Sequence, residues 1–189
     1  MNYLAHAWLS GANEGLLVGN FIADHVRGND FSRYPGEVVQ GIKLHRVIDQ
    51  FTDSHARFRA VKRHFYGSFN RHSGILTDIY FDYLLARDFT LHTGLDLDTF
   101  SLQTYAVYAR HLAVIPETAQ RFYNYLLKNN IYPAYATQEG ITTVLMHLSN
   151  RIGHGVLLHH SINDFLRAET LIVDDFQTFL TDLKKEFNP

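Results

Sequence analysis

Apolar residues recur along this chain every three or four positions, and strict alternation is absent. In residues 14–27 they stand at 16, 17, 18, 21, 22, 23 and 26, one face of a helix closed by Gly28. Residues 2–10 are apolar around His6 and read as a short first helix or an extended entry, and 28–34 is a polar loop. Pro35 is suited to open the next helix, 35–53, because its missing N–H has no partner there anyway. Residues 54–70 start with the capping type Ser54 and turn Ala56, Val61 and Phe65 inward. An amphipathic helix over 75–90 follows, with Thr77 near its start. Residues 96–115 carry Phe100, Leu102, Tyr105, Val107, Tyr108 and Leu112 and stop before Pro116. Residues 117–130 carry Phe122, Tyr123, Leu126 and Leu127. A helix over 140–152 and one long or two broken helices over 162–187 complete the pattern. No hairpin signal, repeat or linker interrupts it. The expectation is an all-α, single-domain bundle of roughly seven or eight helices spanning 1–189.

Composition changes this picture little. With 46% hydrophobic and 19% charged residues, 189 residues suffice for one domain with a full core. The aromatic residues of 100–135 are assigned to that core rather than to a dimer contact. A net charge of −2 gives no general case for nucleic acid or an acidic membrane surface. The absence of cysteine excludes disulfides and thiolate metal sites. Residues 1–11 lack a cationic leader, and no stretch reaches the ~20 apolar residues of a membrane span. A cytoplasmic protein is expected. One stretch is polarised: between Asp53 and Asp78 there is no acid, but Arg57, Arg59, Lys62, Arg63 and Arg71 all fall there.

The chemistry concentrates in GIKLHRVIDQFTDSH, residues 41–55. His45, Asp49 and Asp53 recur at a spacing of four, and each step turns only about 40° around a helix. Ile42, Val47, Ile48 and Phe51 supply apolar contacts around that face. Carboxylates turned toward an apolar interior need a charge partner, and a divalent metal is the simplest one. Asp78 and Asp82 repeat the spacing on another apolar segment, and Asp24 in the last turn of 14–27 calls for a compensating cation. Imidazole with carboxylates suits manganese, iron or magnesium better than structural zinc, and such an ion supports hydrolysis. Each residue also has a bland reading. Thr52, Asp53 and Ser54 look like a helix junction with capping side chains, His6 alone resembles a satisfied core histidine, and a charge run is usually a solvated face. His154, His159 and His160 suggest a second site, but no carboxylate is spaced to complete it. Walker, dinucleotide and nucleophile-elbow motifs are all absent.

NYLAH (2–6), GNFIADHVRG (19–28), GIKLHRVIDQFTDSH (41–55) and LTDIYFDYLLARDF (76–89) stand in this order. Together they resemble the acyl carrier protein phosphodiesterase family over the first half of the chain. The resemblance implies an all-helical, distorted HD-domain-like phosphohydrolase dependent on a divalent metal, manganese above all, with magnesium or iron as alternatives. It implies hydrolysis of the phosphodiester joining 4′-phosphopantetheine to a serine of holo-acyl carrier protein. Carried over, the metal ligands are His6, Asp24, His45, Asp49, Asp78 and Asp82. The adjacent His-Asp pair of ordinary HD enzymes is absent: His45 and Asp49 stand four apart, and Asp24-His25 is reversed. Asp24, His45 and Asp49 are then catalytic, and Arg46 or Arg27 is a phosphate clamp because a planar guanidinium binds phosphate bidentately. The face of Arg57, Arg59, Lys62 and Arg63 becomes a docking surface for the acidic carrier protein. Two alternatives remain: a phosphohydrolase of a nucleotide or other small phosphate ester, and a helical binding module without chemistry.

Overall fold

The apolar stripes fold into helix, and none into strand, among the described residues (2–28, 30–153 and 155–189) of the structure, a computed structural model. In chain order the helices are α1 (Tyr3–Leu9), α2 (Glu14–Ile22), α3 (Gly36–Ser54), α4 (Ala56–Phe69) and α5 (Ser73–Arg87). They continue with α6 (Phe89–Thr93), α7 (Leu97–Arg110), α8 (Glu117–Lys128), α9 (Ile131–Ala134), α10 (Gln138–Ile152) and α11 (Ser161–Phe187). The all-α architecture agrees with the periodicity. The differences lie at junctions: 14–27 stops as an α-helix at Ile22 and tightens into a 3-10 turn, Ala23–His25. The stretch 75–90 breaks at Asp88, and the four-residue α9 has too few positions to show a period. Residues 162–187 lie within one unbroken helix of 27 residues.

Two glycines set how closely α2 and α3 approach. A Cβ on Gly19 would fall 2.0 Å from the Val38 carbonyl oxygen, and one on Gly41 would fall 2.2 Å from that of Leu16. The helices therefore meet backbone to backbone, which brings Asn20 of α2 beside His45 of α3. Helix α1 is fixed from a different direction. Asp82 of α5 is fully buried and accepts N–H bonds from Leu4 (2.8 Å), Asn2 (3.2 Å) and Ala5 (3.4 Å) at the open end of α1.

The core runs through most helices. Phe65 of α4 stacks on Tyr80 of α5, and Tyr80 stacks on Phe165 of α11, at 5.0 and 4.6 Å between centroids. Tyr105, Tyr108, Tyr123, Tyr132 and Tyr135 are all buried, as expected of the aromatic-rich 100–135 stretch. Several expected inward positions face solvent instead. Ala56 is exposed and Phe58 takes its place against the core, while Leu102 and Leu127 are 68% and 50% exposed. Val47, half exposed, is two residues from His45 and so lies on the opposite side of α3.

Candidate metal centre

Asn20 decides how both histidines present themselves. Its carboxamide nitrogen donates to the His6 carbonyl (2.9 Å) and the Ser10 hydroxyl (3.0 Å), so its oxygen is the atom that faces the rings. That oxygen accepts from His6 Nδ1 at 2.8 Å and from His45 Nδ1 at 3.0 Å. With both Nδ1 atoms donating, the two Nε2 atoms are turned toward the pocket, and the rings stack at 4.1 Å.

Three carboxylate oxygens meet these nitrogens. Asp49 Oδ1 lies 3.2 Å from His6 Nε2, and Asp49 Oδ2 lies 3.1 Å from His45 Nε2. Asp24 Oδ1 lies 3.3 Å from His45 Nε2, while its other oxygen accepts from the Tyr3 hydroxyl at 3.3 Å. The cation that Asp24 needs at the end of its helix is thus supplied by His45 when that ring is protonated. Burial opposes charge on His45, but the Asp24 and Asp49 carboxylates outweigh it and raise the ring to about 9. Burial dominates at His6 and lowers it to about 4, so this ring is neutral. Its Nε2 is buried without a hydrogen-bond partner, a lone pair facing a carboxylate oxygen. Burial also works against the Asp49 carboxylate, yet the charged His45 ring beside it holds it well below the usual range.

Two acceptors in contact need a cation between them or a proton. His6, His45 and Asp49 offer ligand atoms within 4.8 Å of one another, and a divalent ion fits this donor set. The buried lone pair of His6 is the clearest sign of fit, since an unmet buried acceptor is costly.

The other expected site residues divide. Asp53 and Asp78 line the same pocket, of about 710 Å³, with burial raising the Asp78 carboxyl. Asp82 does not line it: one turn beyond Asp78 on α5, it reaches the amide groups of α1 instead. Its role here is to cap the helix that carries His6. Burial pushes its carboxyl up to about 7, against the opposing pull of those N–H groups. Arg46 and Arg27 are also outside the pocket lining. Arg46 follows His45 by one residue, about 100° around the helix. It donates to the Gly28 carbonyl at 2.9 Å and lies over the Phe31 ring. Arg57, Arg59, Lys62 and Arg63 are exposed on α4, with Arg57 paired to Asp175 and Arg59 donating to the Asp53 carbonyl. The α3–α4 junction is capped by the His55 ring, which accepts from Arg57 N, and not by Thr52, Asp53 or the expected Ser54, which ends α3 and donates its hydroxyl back to the Phe51 carbonyl. His159 and His160 lie outside the pocket, and His154 lies outside the described residues.

The sequence reading missed Asn20, although its spacing of four from Asp24 is a usable signal. It also missed Arg121, Phe122, Tyr125, His147 and Arg151, which line the same pocket, and no local spacing links these to His45.

The family model for acyl carrier protein phosphodiesterase matches residues 1–183. A relative from Serratia proteamaculans, named acyl carrier protein phosphodiesterase, is 32% identical over 187 residues, covering 98% of this chain and 97% of its own. Relatives of the same name from Escherichia coli and Pectobacterium atrosepticum are 35% and 36% identical, each covering 80% of this chain and 79% of theirs. No solved structure matches. A match running through nearly the whole sequence, second half included, makes this chain a member of the acyl carrier protein phosphodiesterase family.

Proposed function

We propose that this chain is a metal-dependent phosphodiesterase that removes 4′-phosphopantetheine from the serine of holo-acyl carrier protein, leaving the apo-protein. One observation carries the reading: a family member's pocket holds a buried, unpartnered imidazole nitrogen converging with a second imidazole and a carboxylate. His6, His45 and Asp49 would hold the ion, with Asp24 and Asp78 left in the same pocket for proton transfer. The nitrogen and oxygen set suits manganese, iron or magnesium, and manganese is the ion that the family resemblance implies. Such an ion supplies Lewis acidity at a phosphoryl oxygen and lowers the pKa of water.

The chain's own residues supply the rest. Asn20 fixes both ring orientations through Nδ1. Asp24, steadied by Tyr3, is half exposed and suited to accept a proton from the attacking water. Asp78, its carboxyl raised by burial, suits proton delivery to the leaving serine oxygen. Arg57, Arg59, Lys62 and Arg63 form the docking face for the acidic carrier protein, and Arg59 ties that face to Asp53 at the pocket. We place the activity in the cytoplasm and in one domain spanning the chain.

The test is manganese uptake by equilibrium dialysis alongside turnover of holo-acyl carrier protein. His45→Ala and Asp49→Ala should lose uptake and lower kcat by about a thousandfold. Full turnover in either variant, or undiminished wild-type turnover in chelator, contradicts the proposal.

A further inference from the structure

The pocket has a wall from the second half of the chain that the hydrolytic steps leave unused. Helices α8 and α10 line it with Arg121, Phe122, Tyr125, Val144, Leu148 and Arg151. Arg121 is held by Glu117 one turn earlier. Arg151, exposed in the last turn of α10, forms no ion pair among the described residues. Its charge acts on Tyr3, His25 and Tyr125, and the Tyr3 hydroxyl is itself 3.3 Å from Asp24. A guanidinium without an ion pair therefore lines the same pocket as the four acids Asp24, Asp49, Asp53 and Asp78.

A phosphate lying between a divalent ion and this guanidinium has positive charge on both sides. The pocket is also larger than a phosphate requires. At about 710 Å³ it falls within the ~300–1,000 Å³ of sites that enclose a whole small molecule. Phe122, Val144 and Leu148 give the wall apolar surface, and Tyr125, bonded to His147 at 3.0 Å, gives it polar atoms within reach of amides.

We infer that the α8–α10 wall binds the phosphopantetheine group itself, with Arg151 as its phosphate contact and Phe122, Val144 and Leu148 along its arm. The identity of the ligand rests on the proposed function. In that reaction the water oxygen joins phosphorus, the bond from phosphorus to the serine oxygen breaks, and the serine takes up a proton. The phosphate stays on the pantetheine, so Arg151 contacts substrate and product alike. The carrier protein's body remains outside, on α4.

Calorimetry with free 4′-phosphopantetheine and with pantetheine lacking the phosphate tests this on the manganese-loaded protein. Arg151→Gln should weaken 4′-phosphopantetheine by about 10- to 100-fold and leave pantetheine unchanged. Arg151→Lys should recover part of the loss, and Val144→Trp should weaken both ligands. In turnover, Arg151→Gln should raise KM for holo-acyl carrier protein and relieve product inhibition. Melting temperatures equal to the wild type separate these effects from misfolding. Wild-type affinity for 4′-phosphopantetheine in Arg151→Gln, or no binding by the wild type, overturns the inference. If the wild type cleaves holo-acyl carrier protein and Arg151→Gln does so with unchanged KM and product inhibition, the inference fails and the proposed function stands. If the calorimetric pattern appears without cleavage, the wall is the binding site and the proposed function fails.

Discussion

A carboxamide whose nitrogen is already committed to two acceptors has only its oxygen left to offer, and at Asn20 that fixes the tautomers of His6 and His45 together. Asn20→Ala leaves both Nδ1 donors without that acceptor, and manganese affinity should fall about 10- to 100-fold in titrations. Unchanged affinity would show that packing alone orients the rings. The two histidines also differ in their protons. His45, raised to about 9 by its carboxylates against the effect of burial, enters the metal-free site charged, whereas His6, lowered to about 4 by burial, is already neutral. Metal uptake at pH 7 must therefore expel about one proton, and affinity should rise with pH until it levels off near the His45 value of about 9. Calorimetry in buffers of different ionisation enthalpy reads that proton directly, and a count near zero contradicts this assignment. At this scale the sequence was only partly legible. A spacing of four exposes His45 with Asp49, but a neutral asparagine among apolar residues carries no charge, so Asn20 drew no assignment.

Between elements, the same argument turns on glycine. In an isolated helix, alanine is favoured over glycine by about 0.5–1 kcal/mol. At Gly41 the added Cβ would sit 2.2 Å from the Leu16 carbonyl oxygen, and backbone cannot swing aside as a side chain does. Gly41→Ala should therefore destabilise the protein by about 3 kcal/mol in urea unfolding and weaken the metal site held between α2 and α3. A stabilised variant would mean that the helices are not in backbone contact. The long helices were legible because their apolar stripes match the 3.6-residue period, with α8 as a clear case, although whether α11 ran unbroken stayed open. Boundaries were less so. The 3-10 turn that carries Asp24 continues the apolar pattern of α2 and differs from it in closing Val26 N–H onto the Ala23 carbonyl at 3.1 Å, while Asp24 itself reaches Tyr3 and His45. Asp82 shows a related failure, since a spacing of four puts it on the face of Asp78 but not at the same depth.

Across the whole molecule, the pocket joins acids and histidines from the first half to arginines and aromatics from the second. The first group could be found by local spacing. The second, Arg121 and Arg151 above all, becomes adjacent only through packing, whereas the sequence offers as phosphate contacts only the neighbours of His45 and Asp24 along the chain, Arg46 and Arg27. The α4 face acts at the same scale, through the field it presents to an acidic partner. Replacing Arg57, Arg59, Lys62 and Arg63 together with Ala should raise KM for holo-acyl carrier protein about tenfold, flatten its salt dependence and leave kcat unchanged. Exposed ion pairs such as Arg57 with Asp175 contribute little to stability, so the variant should melt close to the wild type. Equal KM at all salt concentrations would place docking elsewhere. The most direct measurement of the central claim is the intact mass of holo-acyl carrier protein after incubation with the purified protein, with manganese and with chelator. The account predicts loss of the phosphopantetheine group alone, complete with manganese and abolished by chelator. An unchanged mass with every divalent metal supplied, using carrier protein from the same source, would contradict it.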